Sequence, residues 1–241
     1  MDAALVQSAT ARALASGALQ PIATRTEEIE GFVVRAASTM AAKAAAPQRA
    51  DPLGNYEPEL FVAEVGSAHY ALLNKYPVTE NHLLLVTRRF APQEELLDAA
   101  DFGALGGLLA DLDWLAFYNA GRIAGASQAR KHLQLAPAAV PLEPLITRGA
   151  LPFRHAFAPL SGLNAMHRVY RELIANSPAA PYNLLATRRW MLVVPRRQER
   201  YETISVNALG FVGSLYVRNN GELELVRRAG PMNVLRAVTL E

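Results

Sequence analysis

Residues 118–137 read YNAGRIAGASQARKHLQLAP. The small-residue turn Gly125-Ala126-Ser127-Gln128 leads into a short alternating segment in which Lys131, Leu133 and Leu135 point one way and His132 and Gln134 the other. An imidazole and an amide therefore stand side by side at the mouth of a loop. Backbone N–H groups of such a loop can converge on phosphate oxygens, and a histidine fixed beside them can attack phosphorus. The chemistry that follows is nucleotidyl transfer through a histidine. The plain alternative for a single strand histidine is a hydrogen-bonded structural residue.

Ser127-Gln128-Ala129-Arg130-Lys131-His132-Leu133-Gln134 resembles the Ser-Gln-x-His-Lys-His-Leu-Gln motif of the histidine-triad superfamily, in its branch of diadenosine tetraphosphate phosphorylases, also called ATP adenylyltransferases. The resemblance implies that His132 is the nucleophile, that Gln134 acts beside it, and that the Gly125, Ala126, Ser127 and Gln128 loop holds phosphate oxygens. Arg130 stands where the family has its first histidine. A guanidinium there either bonds a carbonyl and adds positive charge near a polyphosphate, or fails to order the strand and leaves a binding protein without turnover. In the hydrolase branches a third histidine takes the place of Gln134. Toward a phosphate oxygen an amide can donate a hydrogen bond but cannot transfer a proton, so transfer to phosphate is favoured over hydrolysis.

Four further stretches share the resemblance. Residues 73–86, LNKYPVTENHLLLV, are similar to a strand pair that implies nucleotide contacts at Asn74 and Lys75 and places His82 beside the catalytic strand. Read from the residues, His82 fits equally well as a strand histidine bonded to a neighbouring carbonyl. The runs 182–195 and 204–218 resemble the C-terminal part of the family and imply contacts from Asn207, Ala208, Leu209, Ser214 and Arg218. Residues 17–22, GALQPI, resemble a segment near the start of bacterial members. Asn119 is expected to hold ribose or phosphate, or to take a left-handed turn before Gly121. Lys43 would reach a phosphate as a family lysine does, or is an exposed loop lysine.

Composition narrows the classes. With 241 residues, 51% of them hydrophobic, the chain can bury a substantial core. A net charge of +2 is no nucleic-acid-binding density, and the pairs Arg88-Arg89, Arg188-Arg189, Arg196-Arg197 and Arg227-Arg228 read as solvated strand ends. Cysteine is absent and the five histidines are dispersed, which removes disulfides, thiolate sites and the usual zinc spacings. No segment reaches the ~20 apolar residues of a membrane span. The expectation is a cytoplasmic protein with no membrane or nucleic-acid partner and no protein-bound cofactor or metal, magnesium arriving with a polyphosphate substrate.

Periodicity predicts a helix from Asp2 to Ser16 ended by Gly17, and a helix or strand-to-helix element over Gly31 to Ala46. Ala41 to Glu57 reads as a disordered surface loop, and Leu60 to Val65, His69 to Leu73 and Asn81 to Thr87 as antiparallel strands. Gln93 to Leu115 has helical spacing throughout, with Pro92 in its first turn and Asp98 and Asp101 as candidate caps, and carries no chemistry. A strand over Trp114 to Tyr118 feeds the loop. Pro137 to Arg154 is broken by prolines, which excludes regular helix. A short strand at His155 and Phe157, a helix from Leu163 to Ser177 bearing a surface His167, strands completing the same sheet and a last helix over Gly230 to Val238 follow. Gly210 and Gly213 admit a ligand or a facing strand.

The resulting fold expectation is α+β, histidine-triad-like, a central antiparallel sheet flanked by helices. Residues 1–241 form a single domain, with a catalytic part over about 1–165 and a part over about 166–241 that completes the fold and the nucleotide site. The resemblance implies phosphorolysis of a dinucleoside polyphosphate, with inorganic phosphate, ATP and ADP as the other small-molecule partners. Adenylylsulfate phosphorolysis and a non-reacting nucleotide sensor are the alternatives.

Overall fold

Strand β7 (His132–Ala136) lies near the middle of the molecule because both of its neighbours are almost wholly apolar. It pairs antiparallel with β5 (Leu83–Thr87) on one side and β6 (Leu115–Asn119) on the other, and every residue of all three strands is buried. The structure is a computed structural model that describes residues 1–37, 50–77 and 79–241. Lys43 and the stretch 38–49 lie outside the described residues.

With β3 (Phe61–Val65), β4 (His69–Leu73), β8 (Ala156–Pro159), β9 (Tyr182–Ala186) and β10 (Trp190–Pro195), these strands form an eight-stranded sheet in the order β3-β4-β5-β7-β6-β9-β10-β8. Every described pairing in it is antiparallel. One face packs Leu83, Leu85, Leu133, Leu135 and Met191 against α1 (Ala3–Ala15), α2 (Ala99–Asp111) and α4 (Met166–Ala175). On the other face two separate apolar clusters form. Phe117, Leu185 and Leu192 pack under a smaller sheet and the C-terminal helices, while Leu72, Leu84 and Val86 pack with Leu53 and Tyr70. Gln134 pairs with Leu84 and Phe117, and His132 with Val86, so these polar side chains stand between the two clusters. The fold is therefore α+β with a central antiparallel sheet flanked by helices. No helix among the described residues is long and apolar enough to cross a membrane.

Several expectations need correction. Over residues 31–37 the chain is strand and not helix, the rest of the expected Gly31 to Ala46 element lying outside the described residues: β1 (Thr24–Ile29) and β2 (Phe32–Ala37) form a hairpin through Glu30 and Gly31, both at positive φ (+49° and +77°). The Gln93–Leu115 helix begins only at Ala99, where Asp98 and Asp101 form a reciprocal capping box. Upstream, Pro92 bridges to Arg130, so residues 91–93 run beside the start of β7 instead of coiling. The proline-rich excursion contains a short helix, α3 (Glu143–Thr147), because Pro144 falls in its first turn, where no N–H is required. Strand β13 (Ser214–Val217) does not complete the large sheet. It runs parallel to β2 in a three-stranded sheet, β1-β2-β13, beside a two-residue hairpin of β11 (Arg200–Tyr201) and β12 (Ile204–Ser205). A helix missing from the sequence reading, α5 (Asn220–Ala229), precedes α6 (Pro231–Val238) and contains Arg227 and Arg228. Arg196 is not a solvated strand end, being 1% exposed. Residues 50–57 are held in place by Asp51, by the buried Leu53 and by the Tyr70 hydroxyl donating to the Leu53 carbonyl.

Candidate active site

The β6–β7 ladder stops at the pair Phe117 and Gln134. Two residues further on, where Asn119 faces His132, the side chain of Gln93 fills the gap. Its amide nitrogen donates to the carbonyls of Asn119 (2.9 Å) and His132 (3.1 Å), and its oxygen accepts from the His132 N–H (2.8 Å). Gln93 is 1% exposed and its own N–H donates to the Ala129 carbonyl. A side-chain amide thus replaces the backbone pairing, and the start of β7 is fixed while the chain before it is free to form a loop.

The His132 ring is buried, and its Nδ1 lies 2.8 Å from the Arg130 carbonyl oxygen. A carbonyl can only accept, so Nδ1 carries the hydrogen and Nε2 keeps its lone pair. Burial lowers the His132 pKa against the opposing pull of the Arg130 carbonyl, and the neutral ring prevails at neutral pH. Beside it, the Asn74 amide nitrogen donates to His82 Nδ1 at 3.2 Å, which places the His82 hydrogen on Nε2, 2.9 Å from Gln134 Oε1. Burial brings the His82 pKa to about 4, with the Gln134 bond opposing, so this ring too stays neutral. With its oxygen held by His82, Gln134 turns its NH2 group to the open side. The carbonyl that the His82 ring bonds is the side-chain amide oxygen of Gln134 on the neighbouring strand, so His82 orients Gln134.

Arg130 takes the first of the two roles open to it. Nε bonds both carboxylate oxygens of Asp51 at 3.0 Å, Nη2 bonds Asp51 at 2.5 Å, and Nη1 bonds the Thr87 and Arg88 carbonyls. The guanidinium ties β5 and the 50–54 turn to the start of β7, and none of these bonds goes to His132. On the reverse face, Lys131 Nζ bonds Asp101 at 2.8 Å and His69 Nε2 bonds the other Asp101 oxygen at 2.7 Å.

The loop before β7 meets the turn after β12. Gly125 has φ +92°, and a Cβ there would lie 2.7 Å from the Val206 carbonyl oxygen and 3.0 Å from Asn207 Cα. Only glycine permits both the turn and the approach. Among the described residues, the main-chain N–H groups of Ser127 and Gln128 have no acceptor within the chain. Asn119 Oδ1 accepts from the Ala208 N–H (2.9 Å) and from Asn183 Nδ2 (2.8 Å), so its oxygen braces the 206–209 turn. Asn207 caps that turn by accepting from the Leu209 N–H.

The expected residues thus fall into two groups. His132, Gln134, His82, Asn74 and Arg130 are linked around β7, and Asn119, Gly125, Asn207, Ala208 and Leu209 around the two facing turns. Lys75 pairs with Glu57 at 2.6 Å. Ser214 accepts from Arg35, and Arg218 pairs with Glu222 and reaches the Thr203 carbonyl, all on the side of the smaller sheet. Sequence reasoning missed Gln93, Asp51, Asp101, Asn183 and Arg196. A polar residue inside an apolar run was the only signal for Asn183, and Gln93 had none beyond the proline before it.

A neutral histidine with a free Nε2, seated on the central strand of an antiparallel sheet beside a glycine-turned loop, defines a nucleotidyltransferase of the histidine-triad kind. Residues 3–158 match the family described as Ap4A phosphorylase N-terminal domain, and residues 149–241 match the ATP adenylyltransferase C-terminal domain. The chain belongs to this family and is a nucleotidyltransferase. Among its relatives, diadenosine 5',5'''-P1,P4-tetraphosphate phosphorylase 2 of Saccharomyces cerevisiae is 29% identical over 72% of this chain and 70% of its own length. Protein APA1 of the same yeast is 28% identical over the same shares. In fold, the chain resembles the crystal structure of yeast Ap4A phosphorylase Apa2 in complex with Ap4A, with a TM-score of 0.85, 23% identity and 99% and 98% of the two chains covered. Apa2 in complex with AMP gives a TM-score of 0.80 at 25% identity over 98% and 96%.

Proposed function

We propose that this chain catalyses the phosphorolysis of diadenosine tetraphosphate to ATP and ADP through an adenylyl group carried on His132. The observation that supports it most is the Nδ1 bond to the Arg130 carbonyl, which leaves Nε2 as a nucleophile on the same strand face as Gln134. In the first step the Nε2 lone pair attacks the α-phosphorus. The P–N bond forms as the P–O bond to the rest of the polyphosphate breaks, and the electron pair leaves with ATP. Positive charge appearing on the ring is met by the Arg130 carbonyl. In the second step an oxygen of inorganic phosphate attacks the same phosphorus, the P–N bond breaks and ADP departs, restoring neutral His132.

Gln134 donates an N–H to an oxygen near the reacting bond but has no proton to give. A polyphosphate leaves as a stable anion, so it needs none, and inorganic phosphate arrives already nucleophilic. The Ser127 and Gln128 N–H groups supply donors for phosphate oxygens, while the N–H groups of Val206, Ala208 and Leu209 are already bonded within the chain and shape the facing turn. In this reading magnesium enters with the polyphosphate and not on a protein site. The non-reacting sensor rested on Arg130, and its bonds to Asp51, Thr87 and Arg88 favour turnover instead.

The test is product analysis after incubation with diadenosine tetraphosphate, with and without inorganic phosphate. ATP and ADP in equal amounts, formed only with phosphate, are expected. Steady turnover to ATP and AMP without phosphate overturns the phosphorylase in favour of a hydrolase, and binding without product puts the sensor in its place.

A further inference from the structure

The guanidinium of Arg196 sits behind the two facing turns and touches both. Nη1 donates to Asn183 Oδ1 (2.6 Å), to the Val206 carbonyl (2.9 Å) and to the Ala124 carbonyl (3.3 Å). Nη2 donates to the carbonyls of Gln198 (2.9 Å) and Glu199 (3.2 Å), and Nε to that of Val238 (3.2 Å). The group also lies 5.3 Å from the Phe211 ring centroid. Asn183 carries the contact onward, since its Nδ2 bonds Ala124 and Asn119, and Asn119 in turn holds the Ala208 N–H. One side chain therefore spans the loop before β7, the turn after β12 and the C-terminal helix.

All six bonds end on neutral oxygens. A buried cation is ordinarily paired with a carboxylate, and among the described residues none lies within ion-pair distance of this one. Its charge is spread over carbonyl dipoles, with the Glu199 carboxylate offsetting it from beyond ion-pair distance. An anion arriving at the Ser127 and Gln128 N–H groups would meet a positive field screened by little water.

We propose that Arg196 is the positioning residue of the nucleotide site, clamping the 121–128 loop to the 206–209 turn and lending both a buried positive charge, bonded only to neutral oxygens, that favours a polyphosphate. The inference rests on the function proposed above and deepens it. Arg196 does not touch the reacting atoms, so its loss weakens substrate and transition state alike.

Steady-state kinetics of Arg196→Lys and Arg196→Gln, with urea midpoints measured alongside, test this. Lysine keeps the charge but cannot span the turns, and glutamine loses both. The expected result is a KM for diadenosine tetraphosphate raised about tenfold in the lysine variant and further in the glutamine variant, with kcat within about threefold. A purely structural role would instead lower the active fraction, so that kcat falls while KM stays within about twofold, and that pattern overturns the proposal. If neither variant folds, Asn183→Ala removes one anchor and leaves the charge, with the same KM rise expected and an unchanged KM contradicting it. Titration with ATP separates the two claims. ATP binding that weakens about tenfold in the lysine variant supports the clamp even if no phosphorolysis is found, and ATP binding equal to wild type overturns it.

Discussion

Replacing His132 with alanine is expected to lower phosphorolysis by about 10⁴-fold or more while leaving dinucleotide affinity within about fivefold of wild type. No neighbour can take its place. His82 has both ring nitrogens engaged, Nδ1 with Asn74 and Nε2 with Gln134, and its pKa of about 4 keeps it neutral. Gln134 is an amide and Lys131 is turned to the other face, bonded to Asp101. The start of β7 is held by Gln93 through the main chain, so removing the ring does not release the strand. Rate measurement with a coupled assay and affinity by titration check the prediction. A variant keeping more than about 1% of the wild-type rate would place the chemistry elsewhere.

The largest effect on stability is expected at Asp101, on the reverse face of the same strand. Asp101 is 1% exposed and Lys131 4%, and the carboxylate accepts from Lys131 Nζ, His69 Nε2 and the Asp98 N–H. Burial raises the Asp101 pKa, but the bonds from His69 and Lys131 outweigh it, and the net shift is downward. A depressed carboxylate contributes stability above its unfolded pKa and loses it as pH falls through the folded value, so this contribution is present at neutral pH and vanishes in acid. Asp101→Asn keeps the shape but leaves the buried Lys131 ammonium with only the exposed Glu95 carboxylate, 4.0 Å away, as its anion, which costs about 3 kcal/mol. Lys131→Met in the same chain should recover most of that loss, because the orphaned charge is then gone. Urea unfolding of the two single variants and the double variant measures it. Strictly additive losses would show that the two groups do not act as a pair.

Which parts of this were legible beforehand follows from what periodicity encodes. Short apolar runs bounded by turn residues marked β3, β4, β5 and β6 to within a residue or two, and with them the antiparallel sheet. The α1 helix, capped by Asp2 and closed before Gly17, was equally plain. Residues 93–98 were misread because Leu96 and Leu97 fit a helical stripe, yet Tyr118 and His132 recruit Gln93 into the sheet. The strand β1, TRTEEI, has almost no apolar pattern, being exposed on one side, and only the Glu30-Gly31 turn betrays its hairpin. In the candidate site the nucleophile and its amide were visible as a local pattern. Arg196 looked like one of four surface pairs, since no local signal separates a solvated guanidinium from one that spans three loops. The braces Asn183 and Asp51 act over 64 and 79 residues of sequence, a distance at which no spacing rule operates.

The most direct test of the central claim is intact-mass analysis of the protein after brief exposure to diadenosine tetraphosphate in phosphate-free buffer. The account predicts one adenylyl group per chain, mapped to His132, released as ADP when inorganic phosphate is added and absent from the His132→Ala variant. Formation of ATP and ADP with no adenylylated protein at any time, and with the phosphorus centre inverted and not retained, would mean direct attack by phosphate and would contradict it.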